Sequence, residues 1–593
     1  KERKDIPTEY TWDLESMYEN EERWEADLSD VMNKAGDFEK YKGRVGESSE
    51  ILLNVLKDMG QLFRKIYNVY VYANMKLDED TRVGNSQALY DRAMSAYVKV
   101  QEKTSFVTPE ILQLDASTIK KYLDESEELR LYEQYLDNIL RKKEHVLTVQ
   151  EENLLAQMGE IANAPDKIYS MLNDADIKFP TIEDEDGKEV EITQGNFIPL
   201  MESKKREVRK AAFEGLYSTY ENFKNTFAQT LNGKAKANIV NARIRKYNSA
   251  MEASLDENNI PVSVYENLLT SINNNLDSMY KYMRIRKRAL GLDELHMYDL
   301  YTPIVKDIDF KIPYEESKEL ILKGLKPLGE EYISVLKEGF NNRWIDVYEN
   351  KGKRSGAYSS GSYDSKPFIL TNYHDTLDSV FTVAHEMGHS VHSYFTNKNQ
   401  PYIYSGYSIF LAEIASTTNE LLLLDYMLKN TGNDKEKLYL LNHYLEQFRT
   451  TVFRQAMFAE FEKSIYEYVE KGGALTADYL CDTYKELNKK YYGPDVVIDD
   501  RIAIEWARIP HFYYNFYVFQ YATGYSAAVK FSQQILNEGK QAVERYIKFL
   551  KSGSSDYPVN VLKSAGVDMT TGEPVDSALK LFGELVDEMD RLI

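Results

Sequence analysis

Apolar residues recur at spacings of three and four along most of this chain, and runs that alternate every second residue are few. That periodicity puts apolar side chains on one face of a helix and predicts a mainly α protein. Between Glu50 and Tyr72 the stripe is Leu52, Leu53, Val55, Leu56, Met59, Leu62, Phe63 and Ile66. Similar patterns cover Asn85 to Thr104, Glu125 to Asn163 and Ser203 to Arg245. Asn258, Asn259 and Pro261 mark a further helix start, periodic to Ala289, and a last amphipathic helix starts near Asp576.

Three stretches interrupt the helical pattern. In residues 178–199, Glu185, Asp186, Gly187 and Lys188 separate two short extended pieces, which is a hairpin signature. It divides the expected organisation into an N-terminal helical domain, 1–195, and a larger domain, 196–593. Residues 296–313, with Pro303, suit a short strand and turn. In residues 351–373, Gly352, Gly356 and Gly361 loosen the chain before a strand-like run, Phe368 to Thr371. A strand edge there is expected to pair with an extended peptide through backbone hydrogen bonds.

Composition narrows the function. A net charge of -22 argues against nucleic acid, whose binding needs concentrated positive charge. The one cysteine, Cys481, cannot form an intrachain disulfide and reads as a half-buried structural thiol. The opening residues KERKDIPTEYTWDLESMY contain no secretion-signal core, and no run approaches the roughly 18 apolar residues that span a bilayer. The expectation is a cytoplasmic chain, able to act as a monomer, with neither membrane nor nucleic acid as partner.

The sharpest motif is His385-Glu386-Met387-Gly388-His389. Two histidines four apart on a helix leave the same face one turn apart, so their neutral nitrogens can bind one Zn2+. Glu386, beside the first, can reach water at the metal without becoming a ligand. Val380, Phe381, Val383, Ala384, Met387 and Val391 supply the helix's buried side, and Asp375 or Thr376 its cap. His392 is a turn too far to complete the ligand set, and position 395 is Phe where the long HExxHxxGxxH pattern needs histidine. The better third ligand is Glu413, on a second helix starting near Ser408 among Phe410, Leu411, Ile414 and Ala415. Glu420, two turns on, can orient a ligand imidazole; a solvated position fits it equally, and His392 likewise reads as either orienting group or packing. One zinc ion per chain is expected, though Co2+ or Mn2+ suits the same donors.

HEMGHSVH followed by FLAEIAS resembles the oligoendopeptidase F branch of the thimet-oligopeptidase-like (M3) metallopeptidases, and GAYSSGSYDSKPFILTNY is similar to that branch's approach to the motif helix. The resemblance implies His385, His389 and Glu413 as zinc ligands and Glu386 as general base. It also implies two helical lobes around a deep channel, a small β-sheet near the active site, and endopeptidase action on short unfolded peptides. Those peptides are expected to lie extended along the 368–373 strand.

Residues 507–528, ARIPHFYYNFYVFQYATGYSAA, offer donors for the charge that develops on a scissile carbonyl. On a helix, His511, Tyr514, Tyr517 and Tyr521 share a stripe, which by itself fits packing as well as catalysis. The resemblance implies that His511, Tyr517 and Tyr521 contact the substrate, with Tyr514 retained as a candidate. Two rival readings remain: a carboxypeptidase, for which Arg354 or Arg508 would clamp a free C-terminus, and a non-catalytic zinc protein, against which Glu386 argues.

Overall fold

A computed structural model describes residues 1–305, 308 and 310–593, so positions 306, 307 and 309 of the expected 296–313 break lie outside the described residues. The chain is mainly helical, with short strands: β1 (Thr181–Glu183), β2 (Glu189–Glu191), β3 (Leu295–His296), β4 (Ile345–Asp346), β5 (Tyr358–Ser360), β6 (Phe368–Leu370) and β7 (Val496–Val497). β1 and β2 form the expected antiparallel hairpin, with Gly187 at φ 78° in its turn. β3 pairs in parallel with β7. β4, β6 and β5 form a three-stranded sheet in that order, β6 parallel to β4 and antiparallel to β5.

The residues gather into two compact units, each woven from three segments. The first contains Lys1–Glu144, Asp309–Tyr426 and Phe531–Gly566; the second contains His145–Ile308, Met427–Lys530 and Val567–Ile593. Neither coincides with the expected segments 1–195 and 196–593, because packing returns the chain to each unit after long excursions.

In the first unit, α1 (Ser49–Glu79) starts where the Ser48 side chain accepts the Ile51 N–H, and buries Leu52, Val55, Leu56, Leu62 and Ile66. It packs with α2 (Gly84–Thr104) in a core that also takes Phe368 and Leu370 from β6. The Trp12 indole N–H donates to the Ile369 carbonyl at 2.8 Å, tying the N-terminal segment to the sheet. Two long helices complete the frame of the site: α3 (Leu377–Asn399), capped by Thr376 accepting the Ser379 N–H, and α4 (Ile409–Asn430). The second unit contains α5 (Arg454–Glu470) and, up to Lys530, α6 (Phe519–Glu538), which begins within the Tyr-rich segment.

Candidate metal centre

α3 and α4 meet at Gly388. A Cβ there would lie 2.6 Å from Ser416 Cα and 2.7 Å from the Ala415 carbonyl oxygen, so only glycine permits this crossing. The Asn419 amide donates to the Ala384 carbonyl at 2.9 Å and accepts from the Tyr332 hydroxyl at 2.5 Å, which fixes the rotation of α4 against α3. The close approach brings Glu413 over the histidine face. His385 Nε2 lies 3.3 Å from Glu413 Oε2, and His389 Nε2 lies 3.5 Å from Glu413 Oε1. One ligating atom from each of the three residues falls within 4.8 Å of the others, the one such group among the described residues.

The electrostatics fit a cation. Burial pulls the His385 pKa down, but Glu413 and Glu420 outweigh it and hold it at about 10. Burial likewise raises Glu413, yet the two imidazoles bring its carboxyl well below the ordinary range. Two carboxylates therefore converge on His385 with only its own proton for charge. A divalent ion would meet that demand, and three protein ligands would leave it an open position. The His385 Nδ1–H donates to Glu420 Oε2 at 2.9 Å, which orients the ring so that Nε2 faces Glu413. Glu420 is thus an orienting group rather than a solvated one.

His392 packs instead. It is buried and stacks on Tyr407 at 3.8 Å, and burial drops its pKa to about 3. Tyr407 shares a hydrogen bond with Ser393 at 2.8 Å, and burial lifts its pKa to about 12.

His385, Glu386, His389 and Glu413 line a cavity of about 1120 Å³ within the first unit. Burial raises the Glu386 pKa, against the lowering pull of the two histidines, which suits a base held out of bulk water. Residues 357–361, including β5, form part of the wall, as do Tyr67 from α1 and Tyr97 from α2.

The expected substrate strand needs correction. β6 is buried throughout and has β4 on one side and β5 on the other, so both its hydrogen-bonding edges are taken. β5 is the edge strand that reaches the cavity. The signal was in the composition: Phe368-Ile369-Leu370 is wholly apolar, as a central strand is, whereas Tyr358-Ser359-Ser360 is mixed.

The Tyr-rich segment belongs to the second unit, and its expected single helix is also corrected. Pro510–Tyr513 is a 3-10 turn, Asn515 and Phe516 have φ of 51° and 57°, and α6 begins only at Phe519. Pro510 lacks the N–H that a continuous helix needs, and the left-handed pair breaks the register. The four residues cluster nonetheless. Ring centroids are 5.2 Å apart for His511–Tyr514, 6.0 Å for His511–Tyr521, 6.0 Å for Tyr514–Tyr517 and 5.5 Å for Tyr517–Tyr521. Tyr514 is 51% exposed, and burial lowers the His511 pKa.

Neither arginine of the carboxypeptidase reading is an idle clamp. Arg508 donates to the Tyr217 hydroxyl at 3.1 Å in a buried network around Glu505, which Arg454 also engages at 3.0 Å. Arg354 lies 3.6 Å from Asp78 and against the Tyr358 ring. Cys481 is partly buried, and burial raises its pKa, as a structural thiol requires.

A helical frame that brings two histidines, a carboxylate and a second acid to one cavity defines a metallopeptidase-like site. Comparison with known proteins gives the same class. Residues 199–581 match the model for peptidase family M3, and residues 110–179 match that for oligopeptidase F. Oligopeptidase PepF of Bacillus subtilis is 51% identical over 594 residues, covering 100% of this chain and 88% of that protein. A Chlamydophila abortus crystal structure described as a peptidase superposes with a TM-score of 0.95 at 40% identity, covering 100% of both chains. The crystal structure of oligoendopeptidase-F from Enterococcus faecium superposes with a TM-score of 0.75 at 43% identity, covering 96% of this chain and 99% of that one.

The chain belongs to peptidase family M3, in its oligoendopeptidase F branch, and is a metalloendopeptidase.

Proposed function

We propose that this chain is a zinc-dependent endopeptidase that cuts internal bonds of short, unfolded oligopeptides, with His385, His389 and Glu413 as the zinc ligands. The observation that carries the reading is the convergence of those three ligating atoms within 4.8 Å, in a cavity that Glu386 also lines. Zinc held there supplies Lewis-acid polarisation of an amide carbonyl and a lowered pKa for water. Glu386 takes the proton of the attacking water and passes it to the leaving amine nitrogen. Glu420 keeps His385 in the tautomer whose Nε2 can ligate. The edge of β5 offers backbone groups to an extended peptide, which replaces β6 in that role. His511, Tyr517, Tyr521 and Tyr514 are proposed as donors to the substrate carbonyl and backbone; their support is the resemblance and their clustering.

Residence in the cytoplasm and action as a monomer remain parts of this proposal. None of the helices among the described residues is long and apolar enough to cross a membrane.

The test pairs metal analysis with cleavage of an oligopeptide blocked at both ends. One zinc per chain, cleavage lost to a chelator and restored by zinc, and no cleavage of a folded protein are expected. Full cleavage in metal-free protein would sink the reading.

A further inference from the structure

The left-handed pair Asn515 and Phe516 is the most strained backbone near the tyrosine cluster. Asparagine tolerates positive φ; a bulky phenylalanine rarely adopts it, so surrounding groups must hold it there. Two side chains do. Glu462 on α5, fully buried, accepts the Phe516 N–H through Oε2 at 2.9 Å. The Ser254 hydroxyl donates to the Asn515 carbonyl at 2.6 Å. The Phe516 ring is anchored between Tyr466 at 4.6 Å and Tyr265 at 5.8 Å. Tyr514 and Tyr517 flank this turn directly, so its conformation sets where both phenols point.

We propose that Glu462 is a positioning residue for peptide hydrolysis: its buried carboxyl group holds the Asn515–Phe516 turn and so keeps Tyr514 and Tyr517 in register with His511 and Tyr521. The inference rests on the donor roles proposed for those tyrosines. Core packing alone is a poor account of a carboxyl group at a site with no cation against it, where Oε1 has no hydrogen-bond partner. An apolar residue would fill that space at lower cost, so the group is retained for the bond it makes. Burial lifts its pKa to about 8, against the lowering effect of the Phe516 N–H, so at neutral pH it is mostly the uncharged acid. Glutamine therefore copies both its shape and its acceptor oxygen, whereas leucine copies only the bulk.

The experiment uses the full, metal-loaded chain, with steady-state cleavage of a blocked oligopeptide and backbone hydrogen exchange at Phe516. Glu462→Gln is expected within about twofold of the parent in kcat. Glu462→Leu is expected to lower kcat about thirtyfold with KM and metal content little changed, and to speed Phe516 exchange at least tenfold. Parent kcat in Glu462→Leu, or an equal loss in Glu462→Gln, overturns the proposal. Ser254→Ala opens the other side of the turn without disturbing the core. It should lower kcat about threefold and loosen Phe516; no change in either overturns the proposal even if Glu462→Leu does not fold. Tyr514→Phe and Tyr517→Phe separate the two layers. Parent kcat in both removes the donor roles and this inference with them, whereas reduced kcat there with unchanged Glu462→Leu removes the clamp alone.

Discussion

The metal cluster and the tyrosine cluster are built by opposite means. His385, His389 and Glu413 stand on two long helices whose crossing is set by Gly388 and Asn419. His511 stands on a 3-10 turn, Tyr514 and Tyr517 on either side of a left-handed pair, and Tyr521 in the first turn of a helix. The first arrangement repeats a regular geometry; the second depends on individual backbone dihedrals held by groups distant in sequence. A donor set on paired helices keeps its spacing when one side chain changes, and a donor set on an irregular turn does not.

Glu386→Gln gives the largest expected effect and examines the helical region. It leaves the three proposed ligands untouched, so metal content should match the parent while kcat falls about 10³- to 10⁴-fold, the upper range for losing the proposed general base. Parallel loss of metal would mean that Glu386 holds the centre together rather than serving the reaction.

Tyr517→Phe and Tyr521→Phe examine the other region. Removing one donor to a developing oxyanion costs about 10² to 10³ in kcat. The loss should fall on one of the two hydroxyls, with metal content unchanged in both. Parent rates in both would reduce the cluster to packing.

Next in size is Glu420→Ala. It removes the acceptor of the His385 Nδ1–H, and loss of such a partner weakens metal affinity about 10- to 100-fold. A competing chelator measures this without reference to turnover. Gly388→Ala strikes the helix crossing itself. Its methyl group would meet backbone at 2.6 Å, and overpacking of that kind costs about 1 to 3 kcal/mol in denaturant unfolding. Weaker metal binding should accompany it, since Glu413 is displaced with α4.

What could be read from the residues follows the same division. The spacing of His385 and His389 and the apolar setting of Glu413 were legible because helical periodicity turns separation in sequence into separation in space. Most helices and the 181–191 hairpin were legible for that reason too. The turn at Asn515–Phe516 was not, because neither residue advertises positive φ as glycine would, and its clamp Glu462 lies 54 positions away. The sheet's edge was expected one strand away, at 368–373, because strand order is a property of pairing, not of any one strand. The interleaving of the two units was hidden for a similar cause: it depends on which distant segments pack together.

The smallest expected effect tests whether the helical frame is assembled from independent local parts. Thr376 is exposed and caps α3 by accepting the Ser379 N–H at 3.2 Å. Loss of a threonine cap costs about 1 kcal/mol. His385 is nine residues further along, about 13.5 Å at 1.5 Å per residue, and between them α3 is held by Val380, Phe381, Val383 and Ala384, all buried. Thr376→Ala should therefore lower unfolding stability by about 1 kcal/mol while metal affinity and kcat stay at parent values. The contrast with Ser254→Ala is the point of the measurement. Each removes one exposed or half-exposed hydroxyl, but only the one on the irregular turn should be felt in catalysis. If Thr376→Ala weakened metal binding as well, the helical region would be as dependent on single bonds as the turn, and the difference between the two regions would disappear.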